Sequence, residues 1–464
     1  MRKKYYIKFL LVIILVFCFK LAIGQTTNIS GVINTYAVVT SIDSSGCSDS
    51  ITVNSVSGFA VGDSVMLVQM QGAEIDSTNT SSFGTILNYT NCGNYEFLKI
   101  SSINGYEIHF TTSLKKNYDV NGSVQLVSVP HYTNAVVTTA LIAQAWNGTT
   151  GGVIAFTVSG TLTLNANINV NGLGFRGGSA SPNYYSAWYS AYCFGSSPGR
   201  GGRKGEGIVA YFTNKEYGRG AQANGGGGGT DINTAGAGGG NYGEGGHGGN
   251  NHFAPDTLWG LRGKSLAVGI SQDKIFFGGG GGGGQQNNSA GTAGSNGGGI
   301  IFIRANIIIG NSHFIKSNGL DVNGVAGIDG AGGGGAGGNI LLDVANFNTN
   351  LSIEVKGGKG GDQNYPPQCH GNGGGGGGGA IFYSGAAFPG NVTTSILGGA
   401  KGVGQCNNSP DDAAIGQDGS TILSWTIPVI ILAADAGPDK TICEGDSVQI
   451  GIPPVTGLTY SWTN

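Results

Sequence analysis

Charge is scarce in this chain: Asp, Glu, Lys and Arg make up 11% of 464 residues and the formal net charge is −3. That balance excludes an electrostatic case for nucleic acid or for an anionic membrane surface. Proline is also sparse, at 12 residues, and glycine is clustered instead of recurring at every third position, so a collagen helix is excluded. Only one long apolar run occurs, Phe9 to Phe19, too short to span a bilayer. HExxH, His-x-His and CxxC are absent, which leaves the dispersed histidines 109, 131, 247, 252, 313 and 370 as surface or loop residues and gives no zinc or redox motif. Gly263-Lys264-Ser265 lacks the glycine of a phosphate loop, because Leu258 stands five residues before Gly263. The Asp-containing turns at Asp119, Asp321, Asp329 and Asp418 lack the tandem carboxylates of a calcium-binding repeat. No cofactor and no metal is expected.

Glycine is what the chain has in excess, with 90 residues. Four copies of one pattern start at glycine pairs 151–152, 298–299, 337–338 and 378–379, each followed by two apolar runs and a closing glycine. From Gly152 to Gly172, Gly299 to Gly319, Gly338 to Gly357 and Gly379 to Gly398 the separations are 20, 20, 19 and 19 residues. Stacked, the copies place Ile154, Ile301, Ile340 and Ile381 in one column. Phe156, Ile303, Leu342 and Tyr383 fall in another, with Thr157, Arg304, Asp343 and Ser384 beside them. Period-two alternation of this kind is a strand with one buried face. No copy is long enough to bury that face alone, so the copies must stack as rungs of a right-handed parallel β-helix, with Arg304 and Asp343 paired across neighbouring strands.

The expected organisation is all-β. Residues 1–24 form a signal peptide, from Arg2, Lys3 and Lys4 through the apolar run to Ala22-Ile23-Gly24. Residues 25–131 form a small antiparallel β domain, including a hairpin at Asn104-Gly105 where a type I′ turn would need positive φ twice. Residues 132–432 form the glycine-rich β-helix, with a large insertion at 173–297, and residues 433–464, with Cys443 on one strand and Trp462 on the next, begin an Ig-like β-sandwich that further residues would complete. Two seven-residue glycine tracts, 278–284 and 373–379, abut rungs two and four. They read either as flexible loops or as extended polyproline-II-like chains bonded side by side, and the second reading is preferred for tracts next to rungs. In an exported chain the six cysteines outside the leader imply disulfides. Proximity in sequence suggests Cys47 with Cys92 and Cys369 with Cys406, leaving Cys193 and Cys443 without obvious partners.

For function, the insertion opens on an aromatic cluster in which Tyr184, Tyr185, Trp188 and Tyr189 could stack on sugar rings, although packing over the solenoid is the preferred account. The outward charged residues Arg304, Lys316, Asp343, Glu354 and Lys356 are scattered and read as structural ion pairs. A flat ice- or mineral-binding array of Thr is not present in the polar column. The Gly24-Gln25 junction resembles cleavage sites of Bacteroidota-type exported proteins. Residues 145–178 with the later glycine tracts resemble the glycine-rich β-solenoid regions of large bacterial surface proteins, and the tail resembles their PKD-like or Ig-like repeats. The resemblance implies a secreted or cell-surface location and a non-catalytic structural or adhesive role, with surface polysaccharide or another matrix component as partner and no membrane insertion after leader removal. The alternative is a carbohydrate-binding or carbohydrate-cleaving β-helix, which would require carboxylates converging in space.

Overall fold

The computed structural model of the chain describes residues 25–42, 49–183, 189–196, 200–251, 258–366, 369–406 and 412–427. The leader, Cys47, Tyr184, Tyr185, Trp188, Cys443 and the tail from 433 lie outside the described residues. The fold is a parallel β-helix carrying a small antiparallel barrel. One curled parallel sheet contains both strands of every rung: the first strands, Val153–Leu164, Ile300–Ile309, Asn339–Asn348 and Ala380–Tyr383, pair in that order and end on Ser420–Ile422. The second strands, Ile168–Asn169, His313–Lys316, Leu351–Glu354 and Val392–Ser395, form a second column. Asn134–Ile142 joins the two columns, pairing with Val153–Leu164 and with Ile168–Asn169.

The register is the one the stacked copies require. Ile154 faces Ile301, Ile301 faces Ile340 and Ile340 faces Ile381, all fully buried. Together with Ile168, Ile315 and Ile353 from the second strands they fill the solenoid interior. Each such side chain contributes about 1.5–3 kcal/mol on burial.

The third wall of the solenoid is built from glycine. Within 278–284, the amides of Gly278, Gly281 and Gly284 donate to the carbonyls of Gly298, Ser295 and Thr292, those of Gly279 and Gly282 to Gly240 and Ala237, and those of Gly280 and Gly283 to Glu206 and Arg203. Bonding to the same neighbour at every third residue is the signature of a polyproline-II chain, which turns once per three residues and makes no internal hydrogen bond. The carbonyls repeat the pattern toward three further segments, accepting from Gly226 and Gly229, from Gly333 and Ala336, and from Gly178 and Ser181. The tract is thus enclosed on all sides by backbone. Tract 373–379 sits in a second such nest, with Gly373, Gly376 and Gly379 donating to Gly361, Gly358 and Val355. A methyl group on Gly281 would collide with the Gly333 carbonyl, and one on Gly376 with the Gly335 carbonyl. The ordered reading of the tracts holds for that reason: amides and carbonyls this close leave room only for hydrogen. The insertion at 173–297 supplies many of these rods, at 178–181, 203–206, 226–229, 234–240 and 292–297, so it is part of the wall.

The barrel closes in the order Tyr36–Ile42, Ser50–Val53, Glu107–Phe110, Tyr95–Asn104, Ser64–Gln69, Val124–Ser128 and back. Two details differ from expectation. Strand Thr26–Gly31 pairs in parallel with Asn134–Ile142 and so belongs to the solenoid, which moves the start of the barrel to Tyr36. In the hairpin, Asn104 stays in the strand opposite Glu107, and only Gly105 takes positive φ, at 63°. The two-residue turn is therefore Gly105-Tyr106 with the φ signature of type II′, which puts glycine at its first central position.

One disulfide joins Cys369 to Cys406, with Cα atoms 5.5 Å apart. Cys92, suggested as the partner of Cys47, is a free, fully buried thiol donating to the Met70 carbonyl at 3.3 Å, and burial pushes its pKa up to about 12, while Cys47 lies outside the described residues. Cys193 is likewise free and buried.

Candidate functional site

Alternation along the first strands decides where a surface opens. The side chains that point away from the Ile column are Val153 and Ala155, Ile300 and Phe302, Asn339 and Leu341, Ala380 and Phe382, followed two residues later by Thr157, Arg304, Asp343 and Ser384. The apolar part of this outer face is covered. Met66, Val68, Phe97, Val127 and Val129 of the barrel pack on Val153, Ala155, Ile300, Phe302, Leu341 and Phe382 in one buried cluster, and Phe97 lies 4.3 Å from Phe302 between ring centroids. Polar pins fix the docking: the Asn34 amide donates to the carbonyls of Ser128 and Ala155 at 2.8 and 2.7 Å, and the Tyr36 hydroxyl donates to Val153 at 2.6 Å. Burial raises the Tyr36 phenol well above its ordinary range, so it stays a donor.

Where the barrel's cover ends, the polar part of the face lies open in a groove of about 520 Å³. Its apolar side is formed by Phe97, Val129, Phe302 and Ile427. Its polar row runs across the sheet as His131, Thr157, Arg304, Asp343 and Ser384, with neighbours one strand spacing of about 4.8 Å apart. His131 Nδ1 lies 2.8 Å from Thr157 Oγ1, and Arg304 Nε donates to Asp343 Oδ2 at 2.8 Å. The side chains of Arg304 and Asp343 are 41% and 32% exposed, so this pair faces solvent.

The charged residues that the sequence pooled together divide between two faces. Arg304 and Asp343 stand in the groove, while Lys316, Glu354 and Lys356 form a separate cluster on the second-strand column, with Glu354 3.6 and 3.3 Å from the two ammonium groups. Burial alone would raise the Glu354 carboxyl, but the Asn318 amide and both lysines outweigh it and hold the pKa below the usual value. That cluster is internally compensated.

Of the aromatic candidates, Tyr189 is half-buried, edge-on to Phe194 at 5.0 Å with the Arg200 guanidinium 4.8 Å from its ring. It is packed against protein, while Tyr184, Tyr185 and Trp188 lie outside the described residues. Lys204 in the same region is fully buried, donating to the carbonyls of Tyr192, Tyr217 and Gly218, and burial lowers its pKa to about 7. It holds three chain segments together. Among the described residues no group of three or more His, Cys, Asp or Glu could hold a metal ion, and no helix is long and apolar enough to cross a membrane.

Sequence reasoning missed His131, Ser64, Phe97 and the groove itself. The available signal was the third position after each glycine pair, where Phe302, Leu341 and Phe382 are apolar although they alternate with the interior column, which shows that the outer face is covered too.

No protein family and no curated protein matches the chain. Two solved structures are similar to it. One is the Gp54 tailspike of Acinetobacter baumannii bacteriophage AP22 in complex with A. baumannii capsular saccharide, at 13% identity and a TM-score of 0.18, over 82% of this chain and 59% of that one. The other is the tailspike protein gp49 from Pseudomonas phage LKA1, at 10% identity and a TM-score of 0.16, over 82% of this chain and 63% of that one. The chain thus spans less than two thirds of either. Beside these neighbours the expectation that the chain is not an enzyme is withdrawn, since both are tailspikes and one is a saccharide complex. At these TM-scores no residue correspondence follows, and the functional argument rests on the groove.

Proposed function

We propose that the chain is an exported carbohydrate-binding β-helix protein whose saccharide site is the groove between the barrel and the outer face of the first-strand column. The observation that carries this reading is the pairing of an apolar side, from Phe97 and Phe302 to Ile427, with a row of hydroxyl, imidazole, guanidinium and carboxylate groups at strand spacing. A sugar presents the same division, apolar C–H faces and a rim of hydroxyls, and ligand sites combine apolar lining with a few convergent polar groups. The groove's length across five neighbouring strand positions suits an oligosaccharide. Export is read from the leader at Arg2 to Gly24, and a place at the outer surface of a Bacteroidota-type cell, with a PKD-like or Ig-like module beginning at 433, completes the proposal.

The test is a glycan array probed with the wild-type chain, with Ser384→Trp, which fills the groove from a half-exposed position, and with Tyr184, Tyr185, Trp188 and Tyr189 changed together to Ala. Binding by wild type that is lost in Ser384→Trp supports the groove. Loss only in the aromatic variant moves the site to the insertion, and no binding by wild type overturns the reading. Bound glycans are then incubated with the protein and assayed for new reducing ends or unsaturated ends, so turnover is read on the same ligands.

A further inference from the structure

We propose that the groove selects an acidic saccharide, taking the carboxylate of a uronic-acid-type residue on the free edge of Arg304. This deepens the saccharide reading above and rests on it. A guanidinium has five N–H donors and no acceptor. Arg304 spends one of them, Nε, on Asp343 at 2.8 Å, and among the described residues its two terminal amino groups have no protein partner. Asp343 therefore acts as an orienter: it occupies the Nε side and turns the outer edge of the fork, with its two parallel N–H vectors, to the groove. That edge matches a planar carboxylate in the bidentate arrangement that arginine makes and lysine does not.

The rest of the row agrees with an acceptor-rich ligand. Asp343 is the single carboxylate among the groove-lining residues, and one of its oxygens is already engaged by Arg304. Thr157 and Ser384 contribute hydroxyls, and His131, whose Nδ1 meets Thr157, keeps Nε2 for the ligand. The terminal N–H groups of Arg304 can only donate, and Asp343 keeps one free oxygen, so a sugar that brings two carboxylate oxygens satisfies the groove better than one that brings only hydroxyls. The neighbouring Lys316, Glu354 and Lys356 stand on the other strand column and are already paired with one another, so they offer no rival carboxylate site.

The experiment measures binding of the full chain to polygalacturonate and hyaluronan, to the same polymers after carboxyl reduction, and to a sulfated neutral glucan. Wild type, Arg304→Gln, Arg304→Lys and Asp343→Asn are compared, with thermal melting as a check on fold. The expected result is binding to at least one uronate polymer, at least tenfold weaker binding to its reduced form, a tenfold or greater loss in Arg304→Gln, and only partial recovery in Arg304→Lys. Equal affinity for native and reduced polymers overturns the acidic class while leaving saccharide binding intact. Preference for the sulfated glucan over the uronates overturns the carboxylate assignment, as does unchanged uronate binding in Arg304→Gln. Failure to bind any polymer here, together with an empty glycan array, removes both readings.

Discussion

The solenoid has two kinds of wall, and they hold the chain by opposite means. Along the first strands, Ile154, Ile301, Ile340 and Ile381 fill space with side chains, and stability comes from apolar area taken out of water. Around tracts 278–284 and 373–379 there are no side chains to bury, and stability comes from backbone groups that each find a partner in one of several neighbouring rods. The first wall is damaged by removing atoms and the second by adding them. Glycine loses the most conformational freedom on ordering, so the second wall is favourable only where nearly every amide is bonded.

The largest effects are expected where atoms are added to the glycine wall. Gly281→Val puts a Cβ against the Gly333 carbonyl and two further methyls beyond it, with rods on every side, and the variant is expected not to fold, read as loss of a cooperative melt. Gly376→Ala, a single methyl against the Gly335 carbonyl, is expected to cost more than about 3 kcal/mol by denaturant unfolding, beyond the usual overpacking range because the obstruction is backbone. A well-tolerated Gly376→Ala would show that the rods part easily and that the contrast between the walls is overstated.

Removing atoms from the other wall should be graded. Ile340→Ala leaves a cavity between Ile301 and Ile381 and is expected to cost about 2–5 kcal/mol, while Ile340→Val costs about 0.5–1.5. If both substitutions cost the same, the column is not close-packed as described.

This contrast also explains what could be read from the sequence. The Ile column, the Arg304–Asp343 pair and the Cys369–Cys406 bond were legible because side chains at fixed spacing or short separation carry them. The rod-to-rod pairing was legible only as a class, since every glycine looks alike and nothing in 278–284 names Glu206 or Gly298 as its partner. The groove was hidden for another reason. It arises from docking of the barrel, a contact between Phe97 and Phe302 separated by about two hundred residues, and strand periodicity says nothing about such a partner. The pairing of His131 with Thr157 depends on a parallel register that the lead-in sequence does not mark.

A smaller effect, dependent on pH, tests a buried charge among the rods. Lys204 has its pKa lowered to about 7 by burial, against an ordinary value of 10.5. Between those values the folded chain holds fewer protons at this site than the unfolded chain, so its contribution makes stability rise as pH climbs from about 7 toward 10, with a slope of at most about 1.4 kcal/mol per pH unit. The carbonyls of Tyr192, Tyr217 and Gly218 accept from the ammonium and reduce that slope. Unfolding free energies of wild type and Lys204→Met, measured from pH 7 to 10, should differ in slope with this sign; parallel curves would mean that the carbonyl cage fully offsets burial.

The smallest expected effect on stability belongs to the pair on which the functional reading depends most. Arg304 and Asp343 are about as exposed as ordinary surface ion pairs, so solvent screens their attraction and Arg304→Gln should change unfolding free energy by less than about 1 kcal/mol. On the proposed reading the pair serves binding: the two residues continue the outer face that Phe302 and Leu341 begin, at the point where the barrel no longer covers it. A structural pair would lose stability and binding together. A binding pair loses binding while the melt stays within a degree or two. If Arg304→Gln instead destabilises the chain by several kcal/mol, the guanidinium is part of what holds barrel to solenoid, and the groove loses its free donor edge as an argument.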